Sequence, residues 1–268
     1  MQPTKNSVES PMPPATQALA VFLQKKILFR PVKLAAEHSF EFDFPFEEVW
    51  IDTPDPGIRL NALFCPTDRQ DSRGVVLYFH GNRDNLQRWG AYAPDFTSLG
   101  YDFFAPDYRG YGKTSGEPDE HDYFADAERV YDYLRTRYAP EQIVLYGRSL
   151  GSGLATYLAA RVPARMLVLE TPFDNIRGLM ASHLRREVLP FEPAFRFPND
   201  RHLDMADLPV LIFHGTRDRV VPFASAAKLK QFLNPGDEFV TIEGGTHNNL
   251  GKFPLYRERL ANWLMSRG

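Results

Sequence analysis

Six short runs rich in β-branched, aromatic and leucine residues recur along this chain, at 75–79, 102–105, 142–146, 166–169, 210–213 and 238–242, and they alternate with helix-length segments. Parallel strands need crossovers of a dozen or more residues, and strands covered by helices on both faces are apolar almost throughout, as these runs are. The alternation predicts an α/β architecture: a mostly parallel central sheet with helices on both faces, near 84–99, 120–138, 151–162, 223–233 and 252–266. Ahead of it, 47–52 and 58–64 flank Pro54-Asp55-Pro56-Gly57, whose fixed proline φ and permissive glycine suit a turn between antiparallel strands. The stretch 172–207 breaks the rhythm. Its helix-like 177–188 runs into Pro- and Phe-rich sequence, which predicts a small cap-like insertion after the sixth strand. A chain of 268 residues that is 43% hydrophobic fits one globular domain, here over 31–268.

The N-terminal region is different in kind. Residues 1–14 carry Pro3, Pro11, Pro13 and Pro14 with few apolar groups, so a mobile tail is expected. Residues 15–30 read as an amphipathic helix: apolar Ala18–Leu23, then Lys25 and Lys26, then apolar 27–29. Such a helix either docks on the body or makes a peripheral membrane contact. It is too short an apolar run for the ~20 residues that span a bilayer. The single cysteine, Cys65, excludes a disulfide framework and suits a reducing, cytoplasmic compartment. Lysine and arginine total 31 against 34 acidic residues, a net charge of −3 with no long basic run, which leaves no electrostatic footprint for nucleic acid. No feature of the sequence marks an oligomeric state.

The chemistry is concentrated at strand ends. The run 142–146 leads through Gly147-Arg148-Ser149-Leu150-Gly151 directly into helix-forming sequence. A serine on such a tight turn sits in a strained conformation that lifts its hydroxyl above the sheet, and small residues two positions either side let strand and helix approach. A serine hydroxyl is a poor nucleophile until a base removes its proton and an acid orients that base. Loops after two later strands offer both: His214-Gly215-Thr216-Arg217-Asp218 ends in Asp218, and Gly244-Gly245-Thr246-His247 delivers His247. His214 and His80 lie at strand ends and read as hydrogen-bonded core residues. His38, His121, His183 and His202 lack a glycine-rich presentation after a strand. Asp174 and Glu243 stand in reserve behind Asp218. Donors for a developing oxyanion are the backbone amide of Leu150, at the positive end of its helix, and that of Asn82 in His80-Gly81-Asn82-Arg83-Asp84, a loop in which Asp84 or Asn85 also suits a helix N-cap.

Nucleotide and metal chemistry fail on spacing. Gly112-Lys113-Thr114 ends like a P-loop, but Asp107 stands where the first glycine belongs. Gly151-Ser152-Gly153 starts like a dinucleotide fingerprint, but Thr156 stands where the third glycine belongs. No H-E-x-x-H or comparable ligand spacing is present, so neither cofactor nor metal is expected.

Together, His80-Gly81-Asn82, Pro106-Asp107-Tyr108-Arg109-Gly110-Tyr111-Gly112, Gly147-Arg148-Ser149-Leu150-Gly151, His214–Asp218 and Gly244-Gly245-Thr246-His247-Asn248 resemble the α/β-hydrolase superfamily of serine hydrolases, over residues 45–266. The wording is similar to the small, lightly capped esterase and thioesterase branch that includes the protein depalmitoylases. Leu28-Phe29-Arg30-Pro31 is similar to that branch too, where a hydrophobic or lipidated anchor often precedes it. The resemblance implies the α/β-hydrolase fold, in which serine, acid and histidine follow in that chain order. It implies ester or thioester hydrolysis by Ser149, Asp218 and His247, with Asn82 and Leu150 as oxyanion donors and Asp107 and Arg109 as scaffold. Arg83-Asp84 depart from it, standing where relatives commonly have small residues. A small-molecule or acylated substrate is expected, with Arg83, Phe173, Phe191 and Phe195 as binding candidates. The alternatives are a peptidase or amidase on the same fold, or a non-catalytic ligand-binding protein.

Overall fold

The computed structural model describes residues 21–22, 24–184 and 192–266. An eight-stranded sheet organises them: β1 Glu47–Asp52, β2 Arg59–Cys65, β3 Val75–Phe79, β4 Asp102–Pro106, β5 Ile143–Arg148, β6 Met166–Glu170, β7 Val210–Gly215 and β8 Glu238–Ile242, in spatial order β1-β2-β4-β3-β5-β6-β7-β8. Strand β2 runs antiparallel to β1 and β4, and every other pairing is parallel. The five strands β3 to β7 are buried along their whole length, which is why their sequences are continuous rather than alternating.

Alternate side chains of those strands feed two cores. Val75, Leu77, Phe79, Leu145 and Leu169 pack on one face under helices α1 (Glu120–Arg135) and α2 (Ser152–Ala159). Val76, Tyr78, Tyr146, Val168 and Phe213 pack on the other with Trp89 and Phe96. Each such burial is worth about 1.5–3 kcal/mol, so the sheet is secured many times over by side chains that take no part in chemistry. Helix α1 starts where Asp119 accepts hydrogen bonds from the amides of His121 and Asp122.

Two helices differ from expectation. The segment 84–99 is broken into Leu86–Trp89, a 3₁₀ turn at Gly90–Tyr92 and Pro94–Thr97. Gly90 lies against Phe42, where a Cβ would sit 2.5 Å from the ring, and Pro94 has no amide to continue a helical ladder. Asn85 caps the first piece by accepting from the Gln87 amide. Likewise 223–233 is α-helical only over Phe223–Ala227 and tightens to 3₁₀ at Lys228–Phe232.

The stretch 172–207 contributes helices α3 (Ile176–His183) and α4 (Asn199–Asp204). The remainder of the helix expected to 188 lies outside the described residues, as do Phe191 and the 1–14 tail. Of the segment 15–30, residues 21–22 and 24–28 are helical. Buried Gln24 accepts a hydrogen bond from the Ala194 amide, and Phe29 packs edge-on against Phe195 and Tyr123, so this segment lies against the body. Phe22 and Ile27 on the same segment are exposed. Among the described residues no helix is long and apolar enough to cross a membrane.

Register is what converts this architecture into a site. Phe79 pairs with Gly147, Arg148 with Glu170, and Ile242 with Gly215. The carboxyl ends of β3, β5, β6, β7 and β8 therefore finish along one rim, and the loops that start at His80, Ser149, Thr171, Thr216 and Glu243 emerge side by side.

Candidate active site

Ser149 sits at the turn from β5 to α2 with φ +51, a left-handed conformation that costs a non-glycine residue about 1–3 kcal/mol. The neighbouring glycines make the turn possible. A Cβ on Gly151 would lie 2.0 Å from the Phe79 carbonyl oxygen, and one on Gly147 would lie 2.7 Å from Ala155 Cβ. Strand and helix thus approach more closely than any side chain would allow, and they aim the hydroxyl at the rim.

The partners arrive from the loops after β7 and β8. His247 Nε2 lies 3.0 Å from Ser149 Oγ, and its Nδ1 lies 2.8 Å from Asp218 Oδ2. The other carboxylate oxygen of Asp218 accepts the amides of Val220 and Val221 at 2.8 and 2.9 Å, so the acid is fixed independently of the histidine. All three residues are buried. The chain thus brings three distant residues into one hydrogen-bonded line.

The competing groups are engaged elsewhere. Asp174 accepts from Ser225 and pairs with Lys228, and Glu243 accepts from Thr216. His214 Nε2 reaches the Val221 carbonyl and lies 3.5 Å from Asp218 Oδ2, behind the acid and away from Ser149, and burial pushes its imidazole below the ordinary range. His80 is enclosed, its Nδ1 on the Gly81 carbonyl, its Nε2 at 3.2 Å from Asp107 and its ring stacked on Tyr108. Burial raises the Asp107 carboxyl. Arg109 is held by Asp55, Asp122 and Asp126. These groups brace the turn after β4.

Beside Ser149 opens a cleft of about 410 Å³. Asn82 and Leu150 line it, Leu150 in the 3₁₀ turn Ser149–Gly151 that leads into α2, where the first amides lack intrahelical acceptors. The Asn82 carbonyl accepts from the Arg30 amide and the Tyr111 hydroxyl, and its side chain donates to the Leu28 carbonyl, which fixes the loop from both sides. Phe173 and Arg83 also line the cleft; Phe195 does not, being stacked on Phe197 and packed on Phe29.

A family model described as the α/β hydrolase fold matches residues 74–198. The α/β hydrolase domain-containing protein 17B of Xenopus laevis is 31% identical over 215 residues, covering 78% of this chain and 72% of that protein. This chain belongs to the α/β-hydrolase family. The lysophosphatidylserine lipase ABHD12 of Danio rerio is 33% identical over 252 residues, 81% of this chain, and the chain spans 66% of that protein's length. The hydrolase domain-containing protein 17C of Xenopus tropicalis is 34% identical over 197 residues, of whose length this chain spans 62%. Among solved structures, an esterase of Pyrococcus furiosus superposes with a TM-score of 0.69 at 20% identity, over 89% of this chain and all 100% of that one, which shows the shared fold.

Within this α/β-hydrolase, one residue close to the serine is not singled out by sequence reasoning. Arg148, the variable position of the G-x-S-x-G turn, is buried; its Nε lies 3.5 Å from Glu170, and its Nη2 lies 3.4 Å from both the His247 carbonyl and Asn248 Oδ1. Its guanidinium also lies over Trp89 and Tyr92, at 5.2 and 5.0 Å from the ring centroids. Burial alone would lower this group, yet the Glu170 carboxylate outweighs it and holds Arg148 charged. Glu170 in turn accepts from the hydroxyls of Tyr146 and Tyr256. Arg148 thus ties the serine turn to the histidine loop. The signal in the sequence was a charge inside an otherwise apolar strand end, with a second charge, Glu170, at the end of the next strand.

Proposed function

We propose that this α/β-hydrolase is a serine hydrolase that cleaves a carboxylic ester or thioester through an acyl-enzyme. The line from Ser149 Oγ through the His247 ring to Asp218 carries the reading. Ser149 Oγ attacks the acyl carbonyl and forms a C–O bond while His247 Nε2 takes the hydroxyl proton. The amides of Leu150 and Asn82 stabilise the oxyanion; a single donor of this kind is commonly worth about 10²–10³ in rate. The bond to the leaving oxygen or sulfur then breaks, the imidazolium returns its proton to that group, and water repeats the sequence to release the acid. Asp218 keeps the imidazole in the tautomer whose Nε2 accepts.

Two further observations support an acyl substrate. One is the apolar wall of the cleft, formed by Phe173, Ile176, Leu179, Met180 and Val221. The other is the relative named as a lysophosphatidylserine lipase, which acts on an acyl ester. Exposed Phe22 and Ile27, beside Lys25 and Lys26, suit peripheral contact with a membrane bearing that substrate. The test is Ser149→Ala, assayed on oxygen and sulfur esters of graded acyl length, with a fluorophosphonate label on the parent protein. Turnover is expected to fall about 10⁴-fold or more with the fold retained, and the label to sit on Ser149. Undiminished turnover in the folded variant, or labelling elsewhere, refutes the assignment.

A further inference from the structure

We propose that Arg30 and Arg83 form an anion-recognition pair that selects esters or thioesters whose leaving group carries a phosphate or carboxylate; this deepens, and rests on, the hydrolase reading. The two residues are register partners in a two-residue parallel ladder, Arg30 opposite Arg83 and Pro31 opposite Asp84, closed by hydrogen bonds from the Arg30 and Val32 amides to the carbonyls of Asn82 and Asp84. Like charges placed directly opposite each other on a ladder repel. Both side chains are exposed, and neither guanidinium has a carboxylate partner among the described residues. Their neighbours differ: Arg88 pairs with Asp84 and Arg148 with Glu170.

The backbone that presents this repulsive pair is fixed. Trp89 Nε1 donates to the Arg83 carbonyl at 2.6 Å, and Asp84 holds a left-handed φ of +63. Arg30 and Arg83 both line the Ser149 cleft, with Arg88 and Arg148, and no carboxylate lines it among the described residues. Arg88 and Arg148 are neutralised by Asp84 and Glu170, so the positive potential of this cleft comes from Arg30 and Arg83, in a chain of net charge −3.

Sheet order assigns the pair to one end of the substrate. Ser149 follows β5, which lies between β6 and β3. The apolar side chains Phe173, Ile176, Leu179, Val220 and Val221 come from α3 and the loops after β6 and β7, whereas Arg83 and Arg88 come from the segment after β3, where Ile27, Leu28 and Trp89 are the apolar neighbours. An acyl chain laid on the β6 and β7 side leaves its alcohol or thiol portion on the β3 side, beside Arg83. Arg83 directly follows Asn82, so its side chain starts from the backbone next to the proposed oxyanion donor. Guanidinium groups bind phosphates and carboxylates through paired, charge-assisted hydrogen bonds.

The experiment compares three esters of one acyl chain short enough to stay monomeric: the glycerol ester, the glycerophosphate ester and the lactate ester. The parent protein is expected to favour the anionic esters in kcat/KM, the phosphate and carboxylate arms telling which anion it takes. Arg83→Ala and Arg30→Ala are each expected to lower the anionic-to-neutral ratio about tenfold, and Arg83→Glu to lower it further. A ratio unchanged in Arg83→Glu overturns the proposal, as does a preference that exists only with anionic vesicles present, which would assign the pair to a membrane surface. Calorimetric binding of the glycerol and glycerophosphate esters to Ser149→Ala protein separates the two claims. If no ester is turned over but this variant still binds the anionic ester more tightly and loses that preference with Arg83→Glu, only the hydrolase reading fails.

Discussion

The rim that carries Ser149, Asp218 and His247 and the walls of the cleft beside it are built on opposite principles. At the rim the three aligned side chains have prescribed neighbours: Asp218 accepts two amides and the imidazole, the imidazole faces the hydroxyl, and Arg148 ties two of the loops together. The wall on the β6 and β7 side is made of apolar side chains from α3 and the loops after those strands, with Leu184 and Val220 exposed nearby and no hydrogen bond setting where Leu179 or Met180 points. Geometry at the rim is discrete, because a hydrogen bond is lost over a fraction of an ångström, whereas an apolar wall degrades gradually with area. Substitutions at the rim should therefore act alike on every substrate, and substitutions in the walls should act on chain length.

The largest effect expected from that contrast is at Asp218. In Asp218→Asn the remaining oxygen still accepts the Val220 and Val221 amides, so the fold is kept. The new amide group, however, donates to His247 Nδ1 and leaves the proton on Nε2, where it faces Ser149 and cannot receive another. A fall of about 10⁴ in kcat is expected, equal for short and long acyl chains. A loss confined to long chains would break the comparison.

Next in size is Arg148→Met. It removes one partner of a buried pair and leaves Glu170 with only the Tyr146 and Tyr256 hydroxyls, a change that typically costs about 3–5 kcal/mol of stability. Thermal unfolding measures it, and pairing the change with Glu170→Gln should recover most of the loss. If the double variant is as unstable as the single one, Arg148 stabilises through Trp89 and Tyr92 and not through Glu170.

The same contrast explains how much could be read before folding. Strand order needs crossovers and continuous apolar runs, and the serine turn needs glycine where a Cβ would sit 2.0 Å from the Phe79 carbonyl; such requirements leave few choices, so Gly147, Ser149 and Gly151 are legible as a group. His247 is legible because a glycine-rich loop after β8 is a rare way to present a histidine. Phe195 was misplaced, because a phenylalanine in a cap serves equally well lining a cleft or packing on Phe29, and nothing local tells the two apart. The ladder between Arg30 and Arg83 was hidden for another reason: two-residue pairing over such a separation leaves no periodic trace in either segment. Arg148 was passed over because its partners, Glu170, Trp89 and the His247 loop, come together only through sheet register.

The smallest expected effect sharpens the comparison most, because it must be selective. Met180 is half-buried on α3 and faces the cleft, and its side chain meets an acyl chain only beyond the carbons nearest the carbonyl if the chain runs toward the β6 and β7 side. Met180→Ala removes about 1 kcal/mol of apolar contact, so kcat/KM for long acyl esters should fall about fivefold while that for acetyl esters stays level. A graded acyl series on parent and variant measures the crossover length, which gives the depth at which Met180 stands. An equal fall for acetyl and long-chain esters would mean that α3 supports the rim rather than the chain, and the division between a discrete rim and a graded wall would not hold at this helix.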